Sequence, residues 1–201
     1  MVLDGVSRET SVLLEVFADE LVRWTKRINL IAPATVADVK HRHIEDSLQL
    51  ANFLSVTPAK WCDLGSGGGL PGIPLAILAQ GWLLETQFVL IESDARKAAF
   101  LRTISTKLDL PVTTLSARIE AVPPQAADIV SARALAPLDK LLGYVHRHLK
   151  SDGTALLMKG RNHAEEVEAA RRNWHFDLEV QPSRTDPEAR ILVLRNIARA
   201  D

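Results

Sequence analysis

Residues 62–72 read Cys-Asp-Leu-Gly-Ser-Gly-Gly-Gly-Leu-Pro-Gly, and this stretch decides the fold of the chain. A short apolar strand ends in Asp63, five glycines follow within eight residues, and a helical pattern begins. Because glycine has no Cβ, this backbone can take positive φ and bring its N–H groups close to a ligand. In open α/β sheets, a strand that leads through such a turn into a helix binds nucleotide-like ligands. The stretch therefore predicts a ligand at the carboxyl end of this strand.

The glycine spacing excludes one class of nucleotide site. A phosphate-binding P-loop needs Gly-x-x-x-x-Gly-Lys-Ser/Thr. Gly67 and Gly72 have this spacing, but Ile73 and Pro74 stand where the lysine and the hydroxyl must be. Such a loop has no cation for the terminal phosphates and no hydroxyl for magnesium. We therefore exclude an NTPase.

Two ligands and a ligand-free turn remain for this loop. Gly67, Gly69 and Gly72 match the dinucleotide pattern Gly-x-Gly-x-x-Gly, although the strand already turns at Gly65. S-adenosylmethionine carries a sulfonium and an ammonium group, so Asp63 could lie near positive charge or orient the loop by hydrogen bonds. The same carboxylate would repel a pyrophosphate. The residues favour S-adenosylmethionine, with a nicotinamide dinucleotide and a turn without a ligand as alternatives.

The pattern of apolar residues predicts an α/β fold with a doubly wound, mostly parallel sheet. One amphipathic helix runs from Ser7 to about Arg27, and a second from about Thr35 to Leu54, where Thr35 and Asp38 resemble a capping box. Short apolar strands then alternate with helices, as in βαβ units with right-handed crossovers. The predicted elements are strands 60–64, 87–91, 111–115, 127–132 and 153–158, and helices 71–80, 94–108, 137–149 and 163–172.

The last third of the chain changes pattern. Asp152-Gly153 predicts a turn before the last parallel strand. Trp174–Val180 and Ile191–Ile197 are two further strands joined only by a polar, proline-bearing loop, so we expect an antiparallel hairpin. This ending is typical of a Rossmann-like class I methyltransferase rather than of a dehydrogenase. We expect an N-terminal helical extension, 1–57, and one methyltransferase domain, 58–201.

The composition excludes several classes of protein. The chain has 201 residues, enough for one sizeable core, and a net charge of −1 that indicates no particular partner. The N-terminus lacks a basic-then-apolar signal pattern, and Pro71, Gly72, Pro74 and Gly81 interrupt the longest apolar region, so we expect no membrane span. The single cysteine, Cys62, lies on a predicted core strand, where we expect it to be inert, and it fits a cytoplasmic protein.

Residues that follow the other predicted strands are candidates for ligand binding. Glu92 ends the second strand, where a carboxylate can accept hydrogen bonds from both ribose hydroxyls of an adenosine. Ile119, after the third strand, can contact an adenine, and Arg133 follows the fourth strand at the same edge of the sheet. A surface acid and a salt bridge to a neighbouring helix are the alternatives for Glu92 and Arg133.

A histidine-rich segment invites a comparison with metal sites, but its spacing argues against one. His41 and His43 are two residues apart on a predicted helix, so their side chains point about 200° apart and cannot share an ion. His43 and Asp46, three residues apart, can touch each other and brace the helix against the sheet. We therefore expect no metal.

Short motifs in a fixed order run through nearly the whole chain. They are 24–30 (Trp-Thr-Lys-Arg-Ile-Asn-Leu), 42–48 (Arg-His-Ile-Glu-Asp-Ser-Leu), 63–74, 91–93, 100–102, 118–120, 131–134 and 158–160. The series resembles one family, the bacterial small-subunit ribosomal RNA guanine-N7 methyltransferases, also called glucose-inhibited division protein B. The Leu-Pro-Gly-Ile-Pro extension of the glycine loop and the Arg-His…Asp-Ser-Leu segment are its most specific parts.

The resemblance implies a cofactor, an acceptor and the residues that bind them. The acceptor is a guanine in 16S ribosomal RNA. The family often has Asp where this chain has Glu92, which lengthens the reach to the ribose by one methylene. It often has Leu-Gly-Lys-Arg where Asp94-Ala95-Arg96-Lys97 stands, a change on a surface that could face RNA. S-adenosylmethionine is expected to bind through Asp63, Gly65, Gly67, Leu70, Glu92, Ile119, Glu120 and Arg133.

The implied chemistry demands little of the side chains. Guanine N7 carries an in-plane lone pair, so no general base has to remove a proton before methyl transfer. Arg133 and Lys159 are therefore expected to hold the acceptor or the donor by hydrogen bonds rather than to act as acid or base. Arg96, Lys97, Lys159 and His43 are the candidates for contact with the substrate.

The position of N7 restricts the substrate. N7 lies in the major groove, which is deep and narrow in A-form RNA, so the target should be unpaired in 16S ribosomal RNA or a 30S particle. We expect the chain to act as a monomer. The alternatives are a methyltransferase for another RNA, a protein or a small molecule, and a non-catalytic ribosome assembly factor on the same fold. A nicotinamide oxidoreductase ranks lowest because of Asp63 and the terminal hairpin.

Overall fold

The computed structural model describes residues 6–53, 58–82 and 84–200. Within these ranges, none of the helices is long and apolar enough to cross a membrane. The strands are β1 (Lys60–Leu64), β2 (Gln87–Glu92), β3 (Val112–Ser116), β4 (Ala127–Arg133), β5 (Leu149–Lys159), β6 (Trp174–Pro182) and β7 (Arg190–Arg199). The α-helices are α1 (Arg8–Ile28), α2 (Asp46–Leu48), α3 (Gly72–Gly81), α4 (Ala95–Lys107), α5 (Leu138–His148) and α6 (His163–Ala170).

The strands form one sheet in the order β3-β2-β1-β4-β5-β7-β6. β1 lies in the middle and pairs in parallel on both sides, with Cys62 opposite Val89 and Val130. β5 is parallel to β4, whereas β7 is antiparallel to both β5 and β6. These pairings confirm the predicted doubly wound, mostly parallel sheet with an antiparallel hairpin at its end. The strand order reverses between β1 and β4, which is where such sheets bind ligands.

Helices cover both faces of the sheet. α1, α3 and α4 pack on one face, and α5 and α6 on the other. Phe17 and Leu21 of α1 are fully buried, and the Phe17 ring lies 6.5 Å from the ring of Phe100 in α4. The first helix therefore shares the core of the sheet. The predicted boundary at residue 57 lies outside the described residues.

The predicted single helix from Thr35 to Leu54 is wrong. Pro33–Asp38 form a 3-10 helix, Lys40–Glu45 form a π-helix, α2 is one turn long, and Gln49–Phe53 return to 3-10 geometry. Leu54 lies outside the described residues. The segment thus changes its helix type three times, from 3-10 to π, from π to α and from α back to 3-10. The spacing of apolar residues alone does not reveal these changes.

The predicted capping box at Thr35 and Asp38 is also wrong. Thr35 lies inside the 3-10 helix, and its Oγ1 donates to the carbonyl of Ala32 at 2.8 Å while its N–H donates to the same carbonyl at 2.9 Å. A threonine hydroxyl that bonds a nearby carbonyl competes with the α-helical pattern. These bonds explain why the chain tightens here and does not start an α-helix.

The predicted turn at Asp152-Gly153 is instead part of β5. Leu149 already pairs with Ala127, and the register shifts before Ile129 pairs with Thr154. This irregularity takes up the extra residues without ending the strand. The predicted strand 60–64 has the bounds of β1. Elsewhere the other predicted helices and strands differ from the structure only in the residues at which they begin or end.

Candidate active site

The glycine loop begins where β1 ends, at the centre of the sheet. Gly65, Gly67 and Gly69 have φ values of +64°, +53° and +82°, which only glycine adopts readily. Ser66 donates its N–H to the carbonyl of Ile91 at 3.1 Å, which ties the loop to β2. α3 starts at Gly72, so the loop presents its backbone at the edge predicted from the sequence.

Asp63 lies beneath this loop and is almost fully buried. Ser131 donates its hydroxyl to Asp63 Oδ1 at 2.6 Å, and Trp61 Nε1 donates to Ser131 Oγ at 2.8 Å. Asp63 Oδ2 has no hydrogen-bond partner among the described residues. Burial raises the pKa of this carboxyl to about 6, against the lowering effect of the bond from Ser131. The side chain of Asp63 is thus joined to β4 beneath the glycine loop.

Glu92 joins the glycine loop to the start of α4. Its Oε2 accepts the N–H of Gly67 at 2.8 Å, and its Oε1 accepts the N–H of Asp94 at 2.7 Å. A carboxylate oxygen has two lone pairs, so each oxygen retains acceptor capacity after one such bond. The side chain is therefore fixed in place and can still accept hydrogen bonds from the hydroxyl groups of a ligand.

A cavity of about 370 Å³ opens beside these residues. Leu135 and Lys140 line it together with residues predicted from the sequence. Five predicted residues do not line this cavity. Asp63 is under the loop, Leu70 is in the core beside α1 and α3, and exposed Arg96 pairs with Asp94 at 3.2 Å. The other two, His43 and Lys159, are described below. The predicted residues that the structure brings together around the cavity are Gly65, Gly67, Glu92, Lys97, Ile119, Glu120 and Arg133.

A second cavity, of about 470 Å³, adjoins the first. Arg133, Ala134, Leu135 and Ala136 line both, so this short loop after β4 is their common wall. Ala134 adopts φ +48°, a conformation that L residues other than glycine rarely take. Several charged or polar residues line only the second cavity: Arg42 of the π-helix, Asp46 of α2, Lys159 of β5, Thr185 and Asp186 of the β6–β7 connection, and Arg190 at the start of β7.

Arg133 stands at the junction of the two cavities, with its side chain 22% exposed. Its Nη2 donates to the carbonyl of Arg42 at 3.0 Å and to Nδ1 of His43 at 2.9 Å, and lies 3.4 Å from Asp46 Oδ2. Its Nη1 is buried and has no partner among the described residues. Arg133 thus forms a salt bridge to a neighbouring helix, the alternative expected from the sequence, and one of its three guanidinium nitrogens has no partner among the described residues.

His43 contacts protein groups through both ring nitrogens. Its Nε2 lies 2.7 Å from Thr35 Oγ1, and its Nδ1 accepts from Arg133. Burial, together with the charges of Arg133 and Arg42, lowers the pKa of His43 to about 4 against the opposing effect of Asp38. The ring is therefore neutral at physiological pH, and both of its nitrogens are bonded within the protein.

Lys159 is nearly buried at the floor of the second cavity, with its side chain 7% exposed. Its ammonium group donates to the carbonyl of Ala136 at 2.6 Å and to Glu166 Oε2 at 2.6 Å. Glu166 Oε2 also accepts the N–H of Leu138 at 2.7 Å. Lys159 thus anchors the common wall of the two cavities through its hydrogen bond to Ala136.

Sequence reasoning missed a polar cluster around Asp46. Its Oδ1 accepts from Gln49 Nε2 at 2.7 Å and from Thr185 Oγ1 at 2.6 Å, and Ser183 Oγ lies 3.4 Å away. Arg42 pairs with Asp186 at 3.2 Å in the same region. Apart from Gln49, which is three residues from Asp46, these partners are more than 130 residues apart in the chain, so no local pattern could have revealed them.

The donor set does not favour metal chemistry. Over the described ranges, no group of three or more His, Cys, Asp or Glu side chains is placed to hold an ion. Burial raises the pKa of the Cys62 thiol to about 12, so this thiol is un-ionised. The polar groups that line the two cavities are instead carboxylates, guanidinium and ammonium groups, and backbone N–H groups.

Two solved structures that superpose on this chain are named as S-adenosylmethionine-dependent methyltransferases. A putative S-adenosyl-L-methionine-dependent methyltransferase from Methanococcus maripaludis superposes with a TM-score of 0.62 at 13% identity, covering 89% of this chain and 91% of that one. A SAM-dependent methyltransferase from Aquifex aeolicus gives a TM-score of 0.60 at 14% identity, covering 85% and 96%. At these identities the likeness shows the fold, which is that of the class I methyltransferases.

Curated relatives are much more similar in sequence. A ribosomal RNA small subunit methyltransferase G from Cereibacter sphaeroides is 50% identical over 194 residues, 96% of this chain and 93% of that protein. The protein of the same name from Paracoccus denitrificans is 47% identical over 98% of this chain and its own full length. The family model for rRNA small subunit methyltransferase G matches residues 11–189. The chain therefore belongs to the family of rRNA small subunit methyltransferases G.

Proposed function

We propose that this chain transfers the methyl group of S-adenosylmethionine to N7 of a guanine in 16S ribosomal RNA. Family membership supports the reaction class and the RNA substrate. One structural observation supports methyl transfer most directly: two adjoining cavities share the wall from Arg133 to Ala136. A donor in the first cavity and an acceptor base in the second would meet at this wall.

The first cavity has groups that match each part of the donor. Backbone N–H groups of the glycine loop can approach it closely, because Gly65 and Gly67 carry no Cβ. Glu92 has acceptor capacity for the ribose hydroxyls, and buried Ile119 offers an apolar surface to the base. Arg133 Nη1, a buried donor without a partner among the described residues, matches the carboxylate of the amino-acid part. The donor supplies a methyl group that its sulfonium already activates.

The second cavity is the proposed acceptor site. Its volume of about 470 Å³ lies within the usual range for small-molecule pockets. A guanine that enters it has to leave its stack, which agrees with a target in unpaired RNA. Lys159 does not face this base with a free ammonium group, since Ala136 and Glu166 hold it. We therefore assign Lys159 to support of the wall rather than to direct contact.

The residues need to position the reactants and do not need to move a proton. N7 attacks with a lone pair that is free at neutral pH, so neither Arg133 nor Lys159 has to act as a base. Correct orientation of two reactants can contribute roughly 7–11 kcal/mol to catalysis. The shared wall and the glycine loop are the parts of this chain that would supply it.

RNA contact outside the cavities falls to basic residues at their rim. Lys97 lines the donor cavity, and Arg96 beside it is exposed at the start of α4. We propose that these two residues contact RNA phosphates, and that His43 acts inside the protein. We also propose that the chain works as a monomer in the cytoplasm, on 16S ribosomal RNA or a 30S particle.

The test is methyl transfer from tritiated donor to 30S particles and to deproteinised 16S ribosomal RNA. We expect label in the RNA and, after reduction and aniline treatment, strand cleavage at one guanine, since N7 methylation labilises the ring. Label in RNA without cleavage would contradict the N7 assignment. Label only in protein or in small molecules, or donor binding without turnover, would support the alternative functions and contradict the proposal.

A further inference from the structure

The hydrogen atoms on the two terminal nitrogens of the Arg133 guanidinium, Nη1 and Nη2, can be assigned one by one. Nη2 carries two, and they go to the carbonyl of Arg42 and to Nδ1 of His43. Both Nη1 hydrogens are left without an acceptor among the described residues, although that nitrogen is buried. A buried charged donor without a partner is costly, so this nitrogen can gain a hydrogen bond from a ligand that brings an acceptor.

The same counting fixes the tautomer of His43. Arginine can only donate, so His43 Nδ1 must be the acceptor and carries no proton. Nε2 then carries the proton and donates to Thr35 Oγ1 at 2.7 Å. The one hydroxyl proton of Thr35 goes to the carbonyl of Ala32 at 2.8 Å, which leaves Oγ1 free to accept. In this series of hydrogen bonds, which runs from Arg133 Nη2 through His43 and Thr35 to the Ala32 carbonyl, each donor therefore has one acceptor.

The groups around His43 keep this state in place. Arg133 approaches from the end of β4, Arg42 from the π-helix and Asp38 from the 3-10 helix, while Asp46 acts through its contact with Arg133. The positive charges of Arg133 and Arg42 oppose a proton on Nδ1. Nδ1 therefore remains an acceptor across the pH range in which a cytoplasmic enzyme works.

We propose that Thr35 and His43 are positioning residues that fix the Arg133 guanidinium with Nη1 aimed at the carboxylate of the methyl donor. The inference rests on the proposed function, because it takes the donor site to be the first cavity. Thr35 sets the tautomer of His43, and His43 sets the rotation of the guanidinium. Neither residue lines the donor cavity, so each acts on the donor through Arg133.

Two substitutions at His43 separate its two ends. The amide of asparagine occupies the place of Nδ1, whereas that of glutamine occupies the place of Nε2. His43→Asn keeps an acceptor for Arg133, and His43→Gln keeps only the contact with Thr35. The readout is calorimetric affinity for S-adenosylhomocysteine and for methylthioadenosine, which lacks the amino-acid part and thus the carboxylate.

We expect His43→Gln to weaken S-adenosylhomocysteine binding about tenfold or more and to leave methylthioadenosine within about twofold, since one hydrogen bond to a charged group is lost. His43→Asn should stay within about threefold for both ligands. Arg133→Ala should match His43→Gln or exceed it. A loss of global stability would weaken both ligands together and would not produce this difference.

Thr35 provides a second, independent pair of variants. Thr35→Val removes the acceptor for His43 Nε2 with little change of shape, and Thr35→Ser keeps it. We expect selective loss of S-adenosylhomocysteine affinity in the valine variant and recovery in the serine variant. His41→Asn and His41→Gln are the matched controls, because exposed His41 bonds only Glu45 on the same segment, and both should bind like wild type.

The outcomes keep the inference and the proposed function apart. Equal affinities for the Asn and Gln variants of His43, whether both high or both low, would overturn the inference. If the His43 variants do not fold, equal affinities for the Thr35 pair would overturn it in the same way. Wild-type protein that binds neither ligand would instead overturn the proposed function. Wild-type binding that Arg133→Ala leaves unchanged would remove the role of Arg133, and with it the inference, while methyl transfer could still be tested.

Discussion

Burial shifts the pKa values of two residues, Asp63 and His43, in opposite directions. The pKa of Asp63 is raised by burial to about 6, above its ordinary 3.8, so the folded chain binds this proton more tightly than the unfolded chain. Stability from Asp63 therefore falls as pH rises from about 4 to 6. The pKa of His43 is lowered by burial to about 4 from 6.5, so stability from His43 increases as pH rises over nearly the same range. By linkage, each effect is worth roughly 3 kcal/mol, and in the wild type they oppose each other.

Removing one of the two groups should reveal the other. We expect the unfolding free energy of Asp63→Asn to rise more steeply with pH than that of wild type between about pH 4 and 6.5. His43→Asn should give a flatter or falling curve over the same range. Urea unfolding at a series of pH values measures both. Three parallel curves would show that neither group titrates as its burial implies.

The glycine loop contains two positions, Gly65 and Gly67, where an added Cβ should have different effects. Gly65 and Gly67 both have positive φ, so alanine at either should cost about 1–2 kcal/mol in backbone strain. A Cβ at Gly65 would also overlap Leu135 of the common wall, whereas a Cβ at Gly67 would lie 3.8 Å from the Gly65 carbonyl oxygen, its nearest neighbour among the described residues. Gly65→Ala should therefore lose clearly more affinity for S-adenosylhomocysteine than Gly67→Ala.

Calorimetry, with thermal unfolding to monitor stability, distinguishes the two alanine variants. Equal losses of affinity would mean that strain in the loop, and not the overlap with Leu135, controls donor binding. A Leu135→Ala change in the Gly65→Ala background should then restore nothing. If the overlap matters, the second change should recover part of the lost affinity.

At the scale of elements, the β6–β7 connection is fastened to α2. Thr185 donates to Asp46 Oδ1 at 2.6 Å, and this carboxylate also contacts Arg133 through Oδ2. Asp46 thus links the connection that borders the acceptor cavity with the guanidinium at the junction. The contact from Ser183 to the same oxygen, at 3.4 Å, is much weaker.

Thr185→Val should loosen this connection more than Ser183→Ala. We expect the valine variant to lose about 1 kcal/mol of stability, because a hydrogen bond to a charged acceptor is removed from a partly buried place. The rate of amide hydrogen exchange at the connection should rise more in Thr185→Val than in Ser183→Ala, although Ser183 Oγ also accepts from Gln49 Nε2 and from the N–H of Thr185, at 3.2 Å each. A larger effect in Ser183→Ala would contradict the ranking that the two distances imply.

The elements also show what the sequence could and could not predict. The α/β alternation, the hairpin and the glycine loop follow from local patterns such as apolar spacing and the loss of Cβ, and the structure confirms them. The π-helix at Lys40–Glu45 does not, because its residues have ordinary helical composition. The cluster at Asp46 depends on Thr185, and the wall at Lys159 depends on Ala136, so both required the folded chain.

At the scale of the whole molecule, one edge of the sheet is proposed to meet RNA. Arg96 lies at this edge and is exposed, while Lys150 begins β5 at the opposite edge and pairs with Asp128. We expect Arg96→Ala to weaken RNA binding and to reduce the slope of log affinity against log salt by about 1, with unchanged affinity for S-adenosylhomocysteine.

Lys150→Ala is the matched control for this prediction, because it removes the same charge far from the proposed interface. Filter binding of 16S ribosomal RNA over a range of salt concentrations measures both variants. An equal loss for both would indicate that net charge alone governs binding. No loss for Arg96→Ala would remove this residue from the RNA interface.

The fastening of Asp46 has a bearing on biosynthesis. A chain emerging from the ribosome has its glycine loop and Glu92 after less than half of its length, yet the anchor of Arg133 runs through Asp46 to Thr185. We therefore expect Arg133 to gain its full set of contacts only after residue 185 has been synthesised, late in translation.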